Sequence, residues 1–557
     1  MNYKAGAFAP AFLIGVELVR QLQDWDYSDD AVKAAEEGID HEFSSSKLLE
    51  LPFPEAIWTM LSSLEDRHLA SSISSNYTAR ETLAVVDTDI NALAHTIRSI
   101  YLKKKAGPRK VARQKNQEHN DWALNWHQVA IHYDGFCSMF PLWWRKEIRL
   151  GVQEKQIVCD DWKTRAFEYE AYDRLVYKDG NGKDVLRFDP SPKLIKKLMS
   201  CVKSKASTFD LSLTREVFNE MHAEVSKAML QRHRLPGSWR TSSFSFQDFK
   251  SVYIAIQTLL NCRYVARLVL ANSKADPTFG YASSVWVVPY AQLVGRLASW
   301  AGLSRMAIRH VLDFLTFGSN GINTPDIATQ PLIDLDNGHY ALSPYVWLNS
   351  DAERNLCVLI NQIPSERKLY SELVDMKEEI LRSEIKGKVE LLGYEVVNGK
   401  VTNTDVDLAI LDHMSKICLC VELKWFIEPA EVREVLERSE EIKKGISQAK
   451  KIMNLFENED AKLCKELLRI DKGYKLFAIV GSRTFIGEGK AQDGTVPVVK
   501  VGHLLENLEE LGNLAEFINW LKERKYLPVR DVDFEVVERD LSVGEWTGGW
   551  YGLRLLD

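Results

Sequence analysis

The stretch Thr404–Phe426, TDVDLAILDHMSKICLCVELKWF, sets charges inside two apolar runs joined by a polar turn. Strand side chains alternate between the two faces of a sheet. As a strand, the second run points Ile417, Leu419, Val421 and Leu423 one way and Cys418, Cys420, Glu422 and Lys424 the other. On the first run Val406, Leu408 and Ile410 share a face, and Asp405, Asp407, Ala409 and Leu411 share the opposite one. Both faces are largely apolar, the pattern of central strands covered on two sides. Charges in such a place are costly unless paired or bound to a metal. The stretch therefore predicts the middle of a covered sheet that carries chemistry.

Its flanks extend the prediction. SERKLYSELVDMKEEILRSEIKGKVELLGYEVVNGKV reads as a long charged helix ending near Gly393, followed by a short strand. EPAEVREVLERSEEIKKGISQAKKIMNLF is helical, with Ile446, Ala449, Ile452, Met453 and Phe456 on one face. YKLFAIVGS (474–482) and VPVVKVG (496–502) read as buried strands, and LAEFINWLKER (514–524) as a helix. The order α-β-β-β-α-β-β-α predicts an α/β unit with a mixed central sheet over 366–525.

At 557 residues the chain is too long for one core. Residues 1–280 read as a mainly helical N-terminal region whose tryptophans (Trp25, Trp58, Trp122, Trp126, Trp143, Trp144, Trp162, Trp239) are expected in the core. Two polar interruptions break it: KKKAGPRKVARQK (103–115), with Lys103, Lys104 and Lys105, and YKDGNGKDVLRFD (177–189), a hairpin signal. The basic stretch reads as a solvated loop, with a phosphate track as the alternative.

In PYAQLVGRLASWAGLSRMAIRHVLDFLTF a helix breaks at Gly302 and a second starts after Ser304, a good N-cap. Ile308, Val311, Leu312 and Leu315 face inward on the second helix, leaving Arg305, Arg309 and His310 nearer the other side. PLIDLDNGHYALSP then reads as a hairpin bending at Asn337-Gly338. Helix-turn-helix followed by a hairpin resembles a winged helix, so 281–365 is expected to be a winged-helix-like module with Arg305 and Arg309 toward DNA. The alternative is a module that contacts protein. Residues 526–557 are left as a C-terminal tail.

A net charge of -7 argues against a uniformly basic nucleic-acid coat. Eight cysteines without a CxxC pair suit a reducing compartment and speak against structural zinc. No uninterrupted apolar run reaches membrane-span length, and no GxxxxGK[ST] loop occurs. The start, MNYKAGAFAPAFLIGVELV, reads as a packed helix more than as a signal peptide. A cytoplasmic protein with no membrane partner is the expectation.

An Asp and a Glu on neighbouring strands can share a divalent cation, and a Lys two residues after the Glu lies on the same face. Asp407 and then Glu422-Leu423-Lys424, between these helices, resemble the PD-(D/E)xK nuclease superfamily, whose restriction-endonuclease-like members act on DNA. The resemblance covers 366 to about 525 and lacks the proline before the aspartate. It implies Asp407 and Glu422 as metal ligands for Mg²⁺ or Mn²⁺, and Lys424 as the catalytic lysine. It also implies Gln448 as a polar residue aimed at the site, and Glu384, or else Glu379, as the carboxylate of the first helix.

With the winged-helix-like module, the plan resembles Mrr-type restriction enzymes and implies a metal-dependent DNA endonuclease of bacterial genome defence. The alternatives are a nucleic-acid sensor or adaptor with a residual site, and a repair or recombination nuclease. One site per chain favours a homodimer on DNA for double-strand cleavage. The N-terminal helices are left to recruit a separate protein partner.

Overall fold

In a computed structural model the described residues are 25–74, 79–107, 113–176, 190–205, 207–230, 235–401, 403–429 and 431–556. The expected N-terminal helix and the 177–189 hairpin lie outside them. The N-terminal region opens with α1 (Asp29–Phe43), α2 (Phe53–Ser74), α3 (Ala79–Leu102) and α4 (Gln117–Trp144). Ser28 and Asn116 start α1 and α4 by accepting backbone N–H groups of the first turn. Trp58, Trp126, Trp143 and Trp162 are buried as expected, but Trp144 is 49% exposed. It ends α4 on the outer side, where its indole N–H donates to Glu36 and Lys33 lies over its ring.

Short elements follow: β1 (Gly151–Gln153), β2 (Gln156–Val158), α5 (Glu168–Ala171), α6 (Pro192–Ser200), β3 (Val202–Lys205), β4 (Thr208–Leu211) and α7 (Arg215–Leu230). Next comes α8 (Phe246–Lys274), begun by a capping box in which Ser245 and Asp248 satisfy each other's backbone N–H groups. By length and composition α8 is apolar enough to cross a membrane, although Arg263 and Arg267 interrupt its apolar run. In the fold 78% of its most apolar window is buried, because the other helices pack around it.

Around α8 lie β5 (Trp286–Pro289), α9 (Tyr290–Ala301), α10 (Arg305–Leu315), β6 (Leu332–Asp334) and β7 (His339–Leu342). Gly302 adopts φ +69° at the end of α9, and Ser304 caps α10 by accepting from the Ala307 N–H. The three strands form an antiparallel sheet in the order β5-β7-β6. Two helices, α11 (Pro344–Leu348) and α12 (Ala352–Gln362), lead onward.

The remaining elements are α13 (Arg367–Leu391), β8 (Glu395–Lys400), β9 (Asp405–Asp412), β10 (Ile417–Lys424), α14 (Val432–Glu457), β11 (Lys475–Ser482), β12 (Val498–Lys500), α15 (Val501–Leu511) and α16 (Leu514–Lys522). The helix α15 was not expected. Their five strands make one mixed sheet, ordered β12-β11-β10-β9-β8, in which β10 is antiparallel to β9 and parallel to β11. Gly481 of β11 lies against Val421, Leu423 and Val501, so α15 covers the Val421/Leu423 face. Gly445 of α14 lies against Lys424 and Val480, so α14 covers the opposite face. The chain is thus mixed α/β, with several small sheets and this mixed one.

Residues 526–557 do more than trail away. They form the hairpin β13 (Phe534–Val543) and β14 (Trp546–Leu555), and β14 pairs in parallel with β2. Phe534, Leu541, Val543, Trp546 and Trp550 enter the core of α1–α4. Helix glycines Gly38 and Gly135 allow the approach: a Cβ there would collide with Trp546 and Leu541.

Candidate active site

The hairpin β9–β10 is paired through Val421 and Leu408. One further step sets Glu422 opposite Asp407, both on the face that α14 covers. Asp407 is 8% exposed and Glu422 2% exposed. The Leu423 N–H donates to Asp407 Oδ2 at 2.8 Å, which turns this carboxylate against the backbone beside Glu422. Lys424 Nζ donates to Glu422 Oε1 at 2.7 Å, and Gln448 Oε1 lies 3.4 Å from the same ammonium. The four residues expected at the hairpin and on α14 are therefore brought together.

Helix α13 contributes differently from expectation. Glu384 is paired with Arg483, at 3.1 Å, and the Arg483 backbone N–H bonds the Lys424 carbonyl, so no contact of Glu384 with Asp407, Glu422 or Lys424 is seen among the described residues. Glu379 pairs with Arg382 and is exposed. The α13 carboxylate whose charge acts on both Asp407 and Lys424 is Glu378. One turn on, Arg382 Nε donates to the Asp407 carbonyl at 2.9 Å and its Nη2 lies 3.8 Å from Oδ1. Neither Glu378 nor Arg382 stood out in a helix with charges on every side. The 3.6-residue period places both on one face with Leu381 and Ile385, which would have been the signal.

The electrostatics follow from burial. Removal from water pushes the Glu422 carboxyl up to about 7, and the neighbouring Asp407 charge adds to this. Burial likewise raises Asp407, against the pull of the Leu423 N–H and Lys424. For Lys424 burial acts to lower the pKa, but the charges of Glu422, Asp407 and Glu378 outweigh it and leave the ammonium held firmly charged.

Two buried oxygens on this face lack partners: Glu422 Oε2 and Ser482 Oγ. Ser482 is the register partner of Lys424 in the parallel strand β11, a neighbour that local sequence could not reveal. An orphaned carboxylate oxygen and hydroxyl beside a second carboxylate suit a hydrated hard cation, which keeps several waters and needs only one or two carboxylates. Among the described residues no group of three or more His, Cys, Asp or Glu is gathered closely enough to bind a metal by itself. Asp407 and Glu422 are the residues able to hold one.

The other expected contacts are dispersed. Arg305 and Arg309 are exposed on α10, one turn apart. Lys103 Nζ donates to the Ser44 carbonyl at 2.6 Å, and Lys104 pairs with Asp336 in the β6–β7 turn while lying over Phe53 and Tyr101. Those two lysines tie the N-terminal helices to their surroundings, and Lys105 is exposed. No family model matches the chain, and no characterised protein or solved structure matches it either.

Proposed function

We propose that residues 366–525 form a PD-(D/E)xK-type nuclease unit that hydrolyses phosphodiester bonds of DNA with Mg²⁺ or Mn²⁺. The observation that carries this is the meeting of Asp407, Glu422 and Lys424 on one covered sheet face, with Glu422 Oε2 buried and unpartnered. A divalent cation bound there would supply an activated water and screen charge on the phosphoryl oxygens. Asp407 and Glu422 would hold it. The Leu423 N–H and Arg382 fix the Asp407 carboxylate, so its direction is set before any ligand arrives. Lys424 presents a permanent cation beside the carboxylates, able to orient the attacking water or to stabilise negative charge in the transition state. Gln448 limits where that ammonium can swing.

We further propose that the module of residues 281–365, with β5, α9, α10, β6 and β7, acts as a winged-helix-like reader of DNA. The support is their order along the chain, the strand order β5-β7-β6 and the exposed Arg305 and Arg309 on α10. A reader beside a nuclease suits genome defence, with a homodimer on DNA for double-strand cuts. Incubation with supercoiled plasmid, with and without Mg²⁺, tests the activity. Metal-dependent nicking that disappears in Glu422→Ala is expected, and no cleavage with either metal rejects it. Preference for forked over plain duplex DNA would favour repair.

A further inference from the structure

Arg263, on α8, has its guanidinium 5.6 Å from the Phe209 ring and 5.9 Å from the Trp286 ring. Both rings are buried, so they hold the guanidinium plane in place. One terminal nitrogen donates to the Ser283 carbonyl at 3.0 Å, while Nε is buried and has no acceptor. Arg296, from α9, lies over the same Trp286 ring at 5.7 Å. Arg113, near the end of the basic stretch, is close enough for its charge to act on Arg263. Burial first, and then Arg296 and Arg113, bring Arg263 down to about 10. The carboxylate acting on it is Asp210, which Lys205 already engages at 3.6 Å.

The neighbouring Arg267 makes a contrast. One turn along α8, it is paired with Asp66 at 2.6 Å. Among the described residues none of Arg113, Arg263 and Arg296 has a carboxylate within ion-pair distance. Three like charges around a buried N–H without an acceptor are unfavourable unless an anion completes them. A planar guanidinium fork fits a tetrahedral phosphate oxyanion, which accepts two parallel N–H bonds. Arg113 and Arg296 are exposed, so two of the three charges stand at the surface while the Arg263 Nε lies beneath it.

We propose that Arg113, Arg263 and Arg296 form a phosphate clamp that grips a backbone phosphodiester of bound nucleic acid. The clamp joins the end of the 103–115 basic stretch to the strand and helix, β5 and α9, that lead into α10. It lies on elements separate from the sheet that carries Asp407 and Glu422. A backbone phosphate is favoured over a free anion because Arg113 and Arg296 stand exposed at the surface, where an extended polyanion can meet them, and α9, which carries Arg296, leads directly into the helix of the exposed Arg305 and Arg309. The clamp does not depend on cleavage, so it stands or falls independently of the nuclease reading.

The test is binding of a short fluorescent DNA duplex, by anisotropy across a range of salt. The full chain carries Glu422→Gln and metal is omitted, so catalysis plays no part. Arg113→Gln with Arg296→Gln alters two exposed side chains, and circular dichroism checks that the fold is kept. The double variant should bind about tenfold more weakly at low salt, with the salt slope smaller by about one. Arg263→Lys, which keeps the charge but loses the fork, should weaken binding several-fold and leave the slope nearly unchanged. Unchanged affinity and slope in the double variant overturn the clamp. So does protection by inorganic phosphate alone, seen as a thermal shift lost in the double variant while DNA binding stays intact.

Discussion

The Asp407 carboxylate and the Leu423 backbone N–H are joined across neighbouring strands at 2.8 Å. One bond therefore ties a candidate metal ligand to the middle of the Glu-Leu-Lys run. Both partners are buried, and the donor has no water to fall back on. Asp407→Ala should cost about 1–3 kcal/mol through the stranded N–H and should also abolish cleavage. Asp407→Asn keeps an acceptor, so its stability should stay near that of the parent while cleavage is lost. Urea unfolding and plasmid nicking separate the two effects, and an active Asp407→Asn protein would reject the ligand role.

Glu422 sets a pH dependence of opposite sign for stability and for metal binding. Its pKa, raised to about 7, means the folded chain holds the proton longer than the unfolded chain does. The stabilisation is fully present below the ordinary carboxylate pKa of 4.5 and is lost as pH rises through about 7. Cation binding needs the ionised form, so Mg²⁺ affinity should rise between about pH 6 and pH 8 with release of protons. Calorimetry in buffers of different ionisation enthalpy measures this. Glu422→Gln should flatten both trends, and a Mg²⁺ affinity independent of pH would remove Glu422 from the site.

Gly445 tests the fit of α14 over Lys424. A Cβ at this position would stand 3.2 Å from Lys424 Cε and 3.4 Å from the Val480 methyls. Alanine in a helix interior is favoured over glycine by up to about 1 kcal/mol, which offsets the tight approach. Gly445→Ala should therefore leave thermal stability nearly unchanged and reduce cleavage about tenfold by shifting the ammonium. Equal activity with an equal melting temperature would show that the lysine position is not critical.

Asp173 tests whether the 366–525 unit is independent of the N-terminal region. Its carboxylate accepts the Ile486 N–H at 3.0 Å and lies 3.2 Å from Lys500, with both side chains buried. Removing one partner of a buried pair typically costs about 3–5 kcal/mol. Asp173→Ala should lower the stability of the nuclease-like unit itself, read by hydrogen exchange at β11 and β12. Unchanged protection there would mean that the unit is held without this strap.

Arg305 and Arg309 carry the reading of α10 as a DNA helix. Arg305→Ala with Arg309→Ala should weaken duplex binding and reduce its salt slope by about one to two, because each phosphate that the protein no longer neutralises keeps roughly one counterion. Unchanged binding across salt would assign α10 to a protein surface.

Much of this arrangement is decided locally and could be read without coordinates. Alternation puts Glu422 and Lys424 on one face of Ile417–Lys424, and Asp405 and Asp407 on one face of Asp405–Asp412, because a strand has only two faces; the pairing register then brings the two faces together. Gly302 and Ser304 likewise mark the break between α9 and α10 through backbone preference and capping. Only the tertiary structure decided the rest. On α13, Glu378, Glu379 and Glu384 are chemically alike, and what separates them is which neighbour each one meets. Glu384 meets Arg483, nearly a hundred residues away, while Glu378 faces Lys424 and Asp407. Ser482 reaches the site through parallel pairing across an intervening helix. The hairpin β13–β14 finds β2 almost four hundred residues upstream. Trp144 ends on the surface although its neighbour Trp143 is buried. Local periodicity sets which side chains share a face; long-range packing sets what that face meets, and so which of several equal charges stands at the site.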